Sequence, residues 1–393
     1  MDFNSIEIKK DEVKVFNIGA MYEKFGELPD NRKDKGKRYK LNLLLTVLIL
    51  AKLAGEDKPY GIAEWIKMRG KAFQQLFKYH RAVTPSHKTI ERLMATTVED
   101  AELQKKMKQY LHQSQGGQQS LQITLDGKTL RGTIPQGKTR GVHLLAAYLP
   151  EEGLVLLQME VGQKENEITT APRLLQQLDL KGRVVTGDAM FTQRAISVEV
   201  LAGGGEYVWF VKENQPTLSQ EVQRFFQPSQ QGVGWRAAPL PSTVVEQVNC
   251  QSGRVETRRL TLIPDEHGYL QWPGLNSIFK LERTVFKPTT QEKRSEVVYG
   301  ITSLPYTSTQ AKSLLQWTRQ HWRIENGLHY RRDVTLHEDA TRMKNVPQAQ
   351  VMATINNFIV ALTSSLGWTN LASARRFFQA KVDSLLFSTS LVL

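Results

Sequence analysis

The chain has 393 residues, of which 40% are hydrophobic and 8% aromatic, so its length allows two or three domains around a large buried core. Its 52 lysines and arginines exceed its 39 acidic residues, and the net charge of +13 favours a polyanionic partner, although a basic enzyme without one has the same composition. The single cysteine excludes an internal disulfide and a cysteine-held zinc site. Polar Met1–Lys10 and the short apolar run Leu41–Leu53 predict neither a secretion signal nor a bilayer span, so we expect a cytoplasmic protein without membrane contact.

The first part of the chain, residues 1–115, is predicted to form a helical domain. Apolar residues recur there at helical spacing in Leu41–Leu53, Gly61–Met68, Lys71–Tyr79, Thr89–Thr96 and Asp100–His112. A cationic cluster lies before the first of these helices and consists of Arg32, Lys33, Lys35, Lys37, Arg38 and Lys40. A solvated loop and a DNA-backbone contact are both compatible with such a cluster.

A short helix is predicted to begin after Ser86, whose hydroxyl suits the N-cap position. This helix exposes Lys88 and Arg92, and it follows another helix and a turn. Such an arrangement is compatible with the reading helix of a helix-turn-helix, and an ordinary bundle helix is the alternative.

A polar stretch, residues 113–120, is interpreted as a linker before strand-like patterns begin. Within residues 116–216 the predicted elements are strands Leu121–Leu125, Val142–Leu149 and Leu154–Val161, helix Thr169–Leu178, strand Arg183–Thr186, helix Thr192–Leu201 and strand Tyr207–Val211. An antiparallel meander that continues into strand–helix units predicts an α+β to mixed α/β sheet.

Residues 217–303 are predicted to be a β-rich insertion. The strand-like segments there, separated by polar turns, are Val244–Val248, Val255–Ile263, Ser277–Val285 and Glu296–Ile301. Helical patterns resume in residues 304–393, first from Thr309 to about Arg332 and then in the apolar segment Pro347–Leu366. We interpret this last part as the helical completion of the core.

Two aspartates occupy positions that suit a ligand site at the edge of the sheet. Asp126 is predicted to follow the first strand of the sheet and Asp188 the fourth, and carboxylates at such strand ends converge on one edge. The neighbouring Gly127 and Gly187 leave room for a ligand. Ordinary turn chemistry is the alternative for either aspartate alone, because Asp-Gly is a common turn pair.

A third carboxylate, Glu325, lies in a predicted helix that places His321, Glu325, His329 and Arg332 along one face. Three carboxylates without cysteine suit a hard cation such as Mg²⁺ or Mn²⁺, and two such ions catalyse phosphoryl transfer. The histidines His321, His329 and His337 raise zinc as an alternative, but two helical turns between them span about 11–12 Å, too far for one ion.

Six motifs carry a family resemblance: LDGKTLRGT (Leu125–Thr133), VHLLAAY (Val142–Tyr148), KENEIT (Lys164–Thr169), VVTGDAMFTQ (Val184–Gln193), FVKENQPTL (Phe210–Leu218) and RQHWRIENGLHYRRDVTLHEDATR (Arg319–Arg342). Together they resemble the DDE transposases of bacterial insertion sequences, in the branch of the H-repeat-associated proteins. The segment from Leu28 to Thr89 is similar to the N-terminal domain associated with that branch. The resemblance covers nearly the whole chain.

The resemblance implies a ribonuclease H-like catalytic core with a helical N-terminal domain and a β-rich insertion. It implies that Asp126, Asp188 and Glu325 bind two Mg²⁺ or Mn²⁺ ions. The intervals are 188 − 126 = 62 and 325 − 188 = 137 residues, and the longer one accommodates the insertion. The chain departs from the family pattern at His321, where arginine is usual, at Arg332, where lysine is usual, and at 252–254, where Ser-Gly-Arg replaces His-Gly-Arg.

The reaction expected of such a protein is metal-dependent cleavage at transposon ends followed by strand transfer into target DNA, on double-stranded DNA and as a homodimer. Phosphates are expected to be held by Lys128, Arg131, His321, Arg323 and Arg332, and the DNA end to be contacted by Lys212, Asn214 and Gln215. A metal-dependent nuclease of the same fold and a domesticated, non-catalytic DNA-binding protein are the alternatives. The inverted repeat and the target sequence are not encoded in any recognisable pattern.

Overall fold

The structure is a computed structural model that describes residues 5–9, 13–115, 120–227, 240–251, 253–266 and 268–388. The strands are β1 Ser5–Lys9, β2 Val13–Asn17, β3 Gln122–Leu130, β4 Val142–Leu149, β5 Leu154–Glu160, β6 Val184–Gly187, β7 Glu206–Val211, β8 Thr243–Gln251, β9 Arg254–Pro264, β10 Ser277–Lys287 and β11 Glu292–Thr302. The α-helices are α1 Ile18–Gly26, α2 Leu41–Leu53, α3 Pro59–Met68, α4 Gly70–Leu76, α5 His87–Arg92, α6 Asp100–Gln115, α7 Glu167–Leu175, α8 Arg194–Ala202, α9 Pro216–Arg224, α10 Ser308–His321, α11 Val346–Ser365 and α12 Leu371–Ser388. The expected mixture of α and β structure is therefore confirmed.

The N-terminal region contains the five predicted helices and also a hairpin that was not predicted. Strands β1 and β2 pair antiparallel from Ser5↔Asn17 to Lys9↔Val13, and the Asn17 side chain then caps α1 by accepting from the amide of Ala20 at 2.8 Å. Helix α2 is buried on nearly all sides, which explains why its sequence is apolar without a clear polar face. The predicted N-cap of α5 is confirmed, since Ser86 Oγ accepts from the Thr89 amide at 3.3 Å.

The N-terminal helices share one hydrophobic core with the C-terminal helices. Phe16 contacts Phe378 of α12 with ring centroids 5.8 Å apart, and Tyr110 of α6 contacts Phe358 of α11 at 5.9 Å. Helix α12, which lies within the helical region predicted for residues 304–393, completes this core. The helical region before residue 116 is thus packed onto the rest of the chain rather than separated from it. Of the predicted linker, residues 116–119 lie outside the described residues.

A nine-stranded sheet runs through the rest of the chain in the order β5-β4-β3-β6-β7-β11-β10-β9-β8. Its centre is parallel, because β6 pairs parallel with both β3 and β7, and all its other pairs are antiparallel. Every residue of β6 is buried, as expected for a short apolar strand covered on both faces.

The segment predicted as an insertion is mainly β, as expected, but it does not pack beside the sheet. Strand β11 pairs antiparallel with β7, from Tyr299↔Val211 to Thr302↔Val208, so the insertion continues the same sheet outwards through β10, β9 and β8. Helix α9 precedes these strands. Within the described part of the chain, no helix is long and apolar enough to cross a membrane.

Two element boundaries near the expected site differ from the prediction. Strand β3 continues from Leu125 to Leu130, because residues 124–130 pair with β4, so Asp126 lies inside the strand rather than after its end. The helix predicted from Thr309 to Arg332 ends as α10 at His321, and two wide π-helical turns follow, Glu325–His329 and Arg331–Thr335. These turns place Glu325 outside the regular helix.

Candidate active site

Asp126 is the first residue of β3 beyond its parallel pairing with β6. The parallel pairing of β3 with β6 ends at Leu125↔Gly187, so Asp126 and Asp188 are the next residues along two adjacent strands. The Asp126 side chain is only partly exposed, and its Oδ1 accepts from the Gly127 amide at 2.9 Å. The backbones of the two aspartates thus lie side by side at the carboxyl ends of the parallel pairing, where ligand-binding residues of parallel strands are usually found.

The π-helical turn after α10 brings Glu325 and His329 to Asp126. His329 Nδ1 is 3.5 Å from Asp126 Oδ2 and 4.0 Å from Glu325 Oε2. Ligand atoms of all three residues lie within 4.8 Å of one another. Two carboxylates almost two hundred positions apart in sequence are therefore held together with one imidazole, a donor set that suits a divalent cation.

The carboxyl group of Asp126 is in an unfavourable environment for its charge. Burial and the negative charge of Glu325 raise its pKa to about 7, and Glu167 and Asp188 act in the same direction, against the hydrogen bond from Gly127. A carboxylate held among like charges in this way is stabilised as an anion when a cation binds beside it.

His329 does not provide the compensating positive charge. Burial, together with the nearby charges of Arg332 and Lys128, lowers its pKa to about 3, so the imidazole is neutral at neutral pH. Its Nε2 is buried and has no hydrogen-bond partner among the described residues. His329 was predicted on the face of Glu325 but was weighed only as a zinc ligand with His321 and His337; the spacing of four residues from Glu325 was the signal for its place beside that carboxylate.

Asp188 follows β6 and is not part of the three-residue cluster. Its Oδ1 accepts from Lys212 Nζ at 3.0 Å, and both side chains are nearly half exposed. Burial opposes ionisation of Asp188, but the hydrogen bonds from Lys212 and from the Ala189 amide, together with the charge of Lys212, outweigh burial, and the pKa of Asp188 is lowered. Lys212 thus binds the Asp188 carboxylate, and a metal ion that bound the same oxygen would compete with the lysine for it.

Two of the three residues expected to contact the DNA end are bound within the protein. Asn214 Nδ2 donates to Ala189 O at 3.1 Å, and Gln215 Nε2 donates to Thr192 O. Both side chains therefore fix the turn that follows Asp188 in this structure, and their use as DNA ligands stays a prediction. Lys212 remains exposed, 5.9 Å from the ring centre of Trp322.

Two of the cations expected to hold phosphates are buried instead. His321 is 4% exposed and lies against Phe210, and burial lowers its pKa to about 4, so it is neutral. Arg332 is 1% exposed, pairs with Glu338 at 2.8 Å and donates to Asn357 at 3.1 Å. Neither residue presents a charged group to solvent in this structure, and their role at phosphates stays a prediction.

The remaining predicted DNA ligands differ in how available they are. Lys128 is bound to Asp333 by two contacts of 2.6 Å. Arg131 and Arg323 are exposed. In α5, Lys88 is exposed but pairs with Glu91 at 2.8 Å, and Arg92 is exposed.

Comparison with known proteins identifies the family. The protein-family model described as "Transposase DDE domain" matches residues 117–362 of the sequence. The family model described as "DDE_Tnp_1-associated" matches residues 22–111. The chain belongs to the DDE transposase family. The family resemblance found in the sequence is therefore confirmed.

Relatives of this DDE transposase chain span nearly its whole length. It is 26% identical to the H repeat-associated putative transposase YhhI of Escherichia coli K12, over 93% of this chain and 96% of that protein. It is 27% identical to the putative transposase YncI of Escherichia coli O157:H7, over 88% of this chain and 87% of that protein. A piggyBac transposase synaptic complex with hairpin DNA is similar to it with a TM-score of 0.42 and 11% identity, over 96% of this chain and 79% of that chain.

DDE transposases use divalent metal, and the residues of this chain fit such an ion. Asp126 and Glu325 supply oxygen ligands, and His329 supplies a neutral nitrogen. The raised pKa of Asp126 indicates a site whose negative charge lacks a positive counterpart within the described residues.

Proposed function

We propose that this chain is a DNA transposase that cleaves phosphodiester bonds at transposon ends and joins the freed 3′ ends to target DNA. The observation that carries the proposal is the convergence of Asp126, Glu325 and His329, with Asp188 at the adjacent strand end. The order β3-β4-β5-α7-β6-α8-β7 supports a ribonuclease H-like core for this chain.

In this proposal Asp126, Asp188 and Glu325 hold two Mg²⁺ or Mn²⁺ ions, with His329 available as a further ligand. Such ions activate an attacking oxygen and stabilise a leaving one when bound. Asp126 and Glu325 provide negative charge from two separate segments, β3 and the π-helical turn after α10. Lys212 withdraws from Asp188 to meet a phosphate, since both groups are nearly half exposed and an exposed ion pair is weak.

The exposed cations around the carboxylates orient the DNA backbone. Arg131 follows β3 and Arg323 precedes Glu325 in the chain, and both are exposed, so their guanidinium groups are free to bind phosphates. We propose double-stranded DNA as the substrate, a homodimer as the assembled form, and the bacterial cytoplasm as the place of action. The net charge of +13 supports a polyanionic partner.

Assays with a transposon-end duplex separate this function from its alternatives. A transposase produces both cleaved ends and strand-transfer products in the presence of Mg²⁺ or Mn²⁺. A nuclease of the same fold produces cleaved ends only. A domesticated DNA-binding protein binds the duplex and yields neither product.

The cationic cluster before α2 provides a prediction about DNA binding. Lys33 and Lys35 are exposed, so we expect the double variant Lys33→Ala/Lys35→Ala in the full-length chain to bind duplex DNA more weakly. If both lysines contact phosphates, the slope of log K against log salt should fall by about 1.8, from about 0.9 per contact. Binding across a salt series measures this slope.

Lys181 provides the matched control for the cluster. It is exposed in the loop before β6, at the opposite end of that strand from Asp188, and Lys181→Ala should leave the slope unchanged. An unchanged slope for the double variant would assign the cluster to a solvated loop.

A further inference from the structure

Glu167, in the KENEIT motif, lies on the face of β3 opposite to the one from which the Asp126 side chain projects. It is the first residue of α7, whose N-terminus is closed by a capping box between Asn166 and Thr169. Its Oε1 is 2.8 Å from His143 Nε2 on β4, and His143 Nδ1 is 2.8 Å from Thr129 Oγ1 on β3. Because an ionised carboxylate only accepts, Nε2 carries the proton and His143 donates it to Glu167. The carboxylate is thereby fixed against β3.

The absence of a side chain at residue 127 makes this position possible. A Cβ at Gly127 would lie 2.3 Å from the carboxyl carbon of Glu167 and 2.3 and 2.6 Å from its oxygens. The Glu167 carboxylate therefore rests directly on the Gly127 backbone. Since neighbouring side chains of a strand point to opposite faces, Glu167 supports Gly127 from one face while Asp126 projects from the other.

One carboxylate oxygen of Glu167 is buried without a hydrogen bond among the described residues that would offset the cost of burying it. The side chain is 13% exposed, and Oε2 is buried without a hydrogen-bond partner among the described residues. Burying an anionic oxygen without a donor is costly, so a structural role alone would be served better by a neutral group. The charge of Glu167 is felt at Asp126, where it adds to that of Glu325.

We propose that Glu167 is a positioning residue of the metal centre: it fixes the backbone at Asp126 through Gly127 and adds a further negative charge that strengthens cation binding. This inference rests on the proposed function, because it concerns the same metal centre. Outer groups of this kind change metal affinity or activity by about 10- to 100-fold when they are removed.

The test is binding of Mn²⁺ to the full-length protein without DNA, measured by titration calorimetry together with the unfolding temperature of the metal-free protein. Glu167→Gln keeps the size and the acceptor for His143 but removes the charge. We expect its Mn²⁺ affinity to fall about 10- to 100-fold, while the metal-free unfolding temperature stays the same or rises. Gly127→Ala, which retains every charge but displaces the carboxylate, should weaken Mn²⁺ binding as well.

Glu165→Gln is the matched control, since Glu165 belongs to the same motif but is exposed and pairs with Arg173. It should bind Mn²⁺ like the wild type, and Asp126→Asn should not bind it measurably. Wild-type affinity in Glu167→Gln, with binding lost in Asp126→Asn, overturns the role of Glu167 and leaves the proposed function standing. A lower unfolding temperature at unchanged affinity overturns it too and makes Glu167 structural. Wild-type binding by Asp126→Asn overturns the metal centre itself.

Discussion

Replacement of Glu325 by glutamine should abolish cleavage of transposon ends and leave binding to the same DNA nearly unchanged. Glutamine keeps the size of the side chain but removes the charge that would hold a divalent ion beside Asp126. DNA affinity depends mainly on cations that contact phosphates, so one lost carboxylate has little effect on it. We expect cleavage to fall by at least about 10³-fold, measured in single turnover, with binding measured in parallel by gel shift.

Glu213→Gln is a suitable control, since Glu213 is exposed and lies next to Lys212 on the same side of the sheet. Glu338 is not suitable, because it is buried against Arg332 and its replacement would leave that guanidinium without its partner. Asp126→Asn and Asp188→Asn should behave like Glu325→Gln, and a double variant should be little worse than either, since residues that act as one unit are not additive. Cleavage at the wild-type rate by Glu325→Gln would contradict the assignment of Glu325 as a metal ligand.

Replacement of Asp57 by alanine should have the largest effect on stability. Asp57 pairs with Lys52 at 3.2 Å and with Arg375 of α12 at 2.9 Å, and all three side chains are at least nine-tenths buried. Without Asp57 two cations remain buried together, and removing one partner of such a group costs about 3–5 kcal/mol. Chemical denaturation of the full-length chain measures this loss.

The exposed pair Lys88–Glu91 is the counterpart of this buried group. Glu91→Ala should change the free energy of unfolding by no more than about 0.5 kcal/mol, because solvent screens the pair. A loss below about 1 kcal/mol for Asp57→Ala would mean that water reaches Lys52 and Arg375 once the aspartate is gone.

Most strands of the sheet and the helices between them could be predicted from the sequence, because the hydrophobic patterns that indicate them are local. Val142–Leu149 is a strand in both the prediction and the structure, since seven of its eight residues are buried and the eighth, His143, is half-buried. Asp126 was predicted to follow the end of the first strand, with a turn at Asp126-Gly127 as the alternative because Asp-Gly favours turns, yet pairing of residues 124–130 with β4 keeps the chain extended there. The alternating pattern of Ile6, Ile8, Val13 and Val15 was a signal for the N-terminal hairpin that was not used.

The side chains around Glu325 could not be predicted from regular helical spacing. The face that was expected to contain His321, Glu325, His329 and Arg332 assumes 3.6 residues per turn, but the chain widens into π-helical turns after α10. His321 and Arg332 consequently turn into the core, while Glu325 and His329 reach Asp126. A widening of this kind depends on the packing of the whole segment and not on a local pattern.

The pairing of β7 with β11 affects how this protein tolerates change in length. The chain enters the insertion after β7 and returns through β11, which pairs with β7, so the two ends of the insertion are joined by hydrogen bonds whatever lies between them. Since the entropy of closing a loop grows only slowly with its length, residues can be gained or lost in the connections between the inserted strands at little cost. The spacing between Asp188 and Glu325 along the chain can therefore diverge widely among homologues while the distance between them in space is preserved.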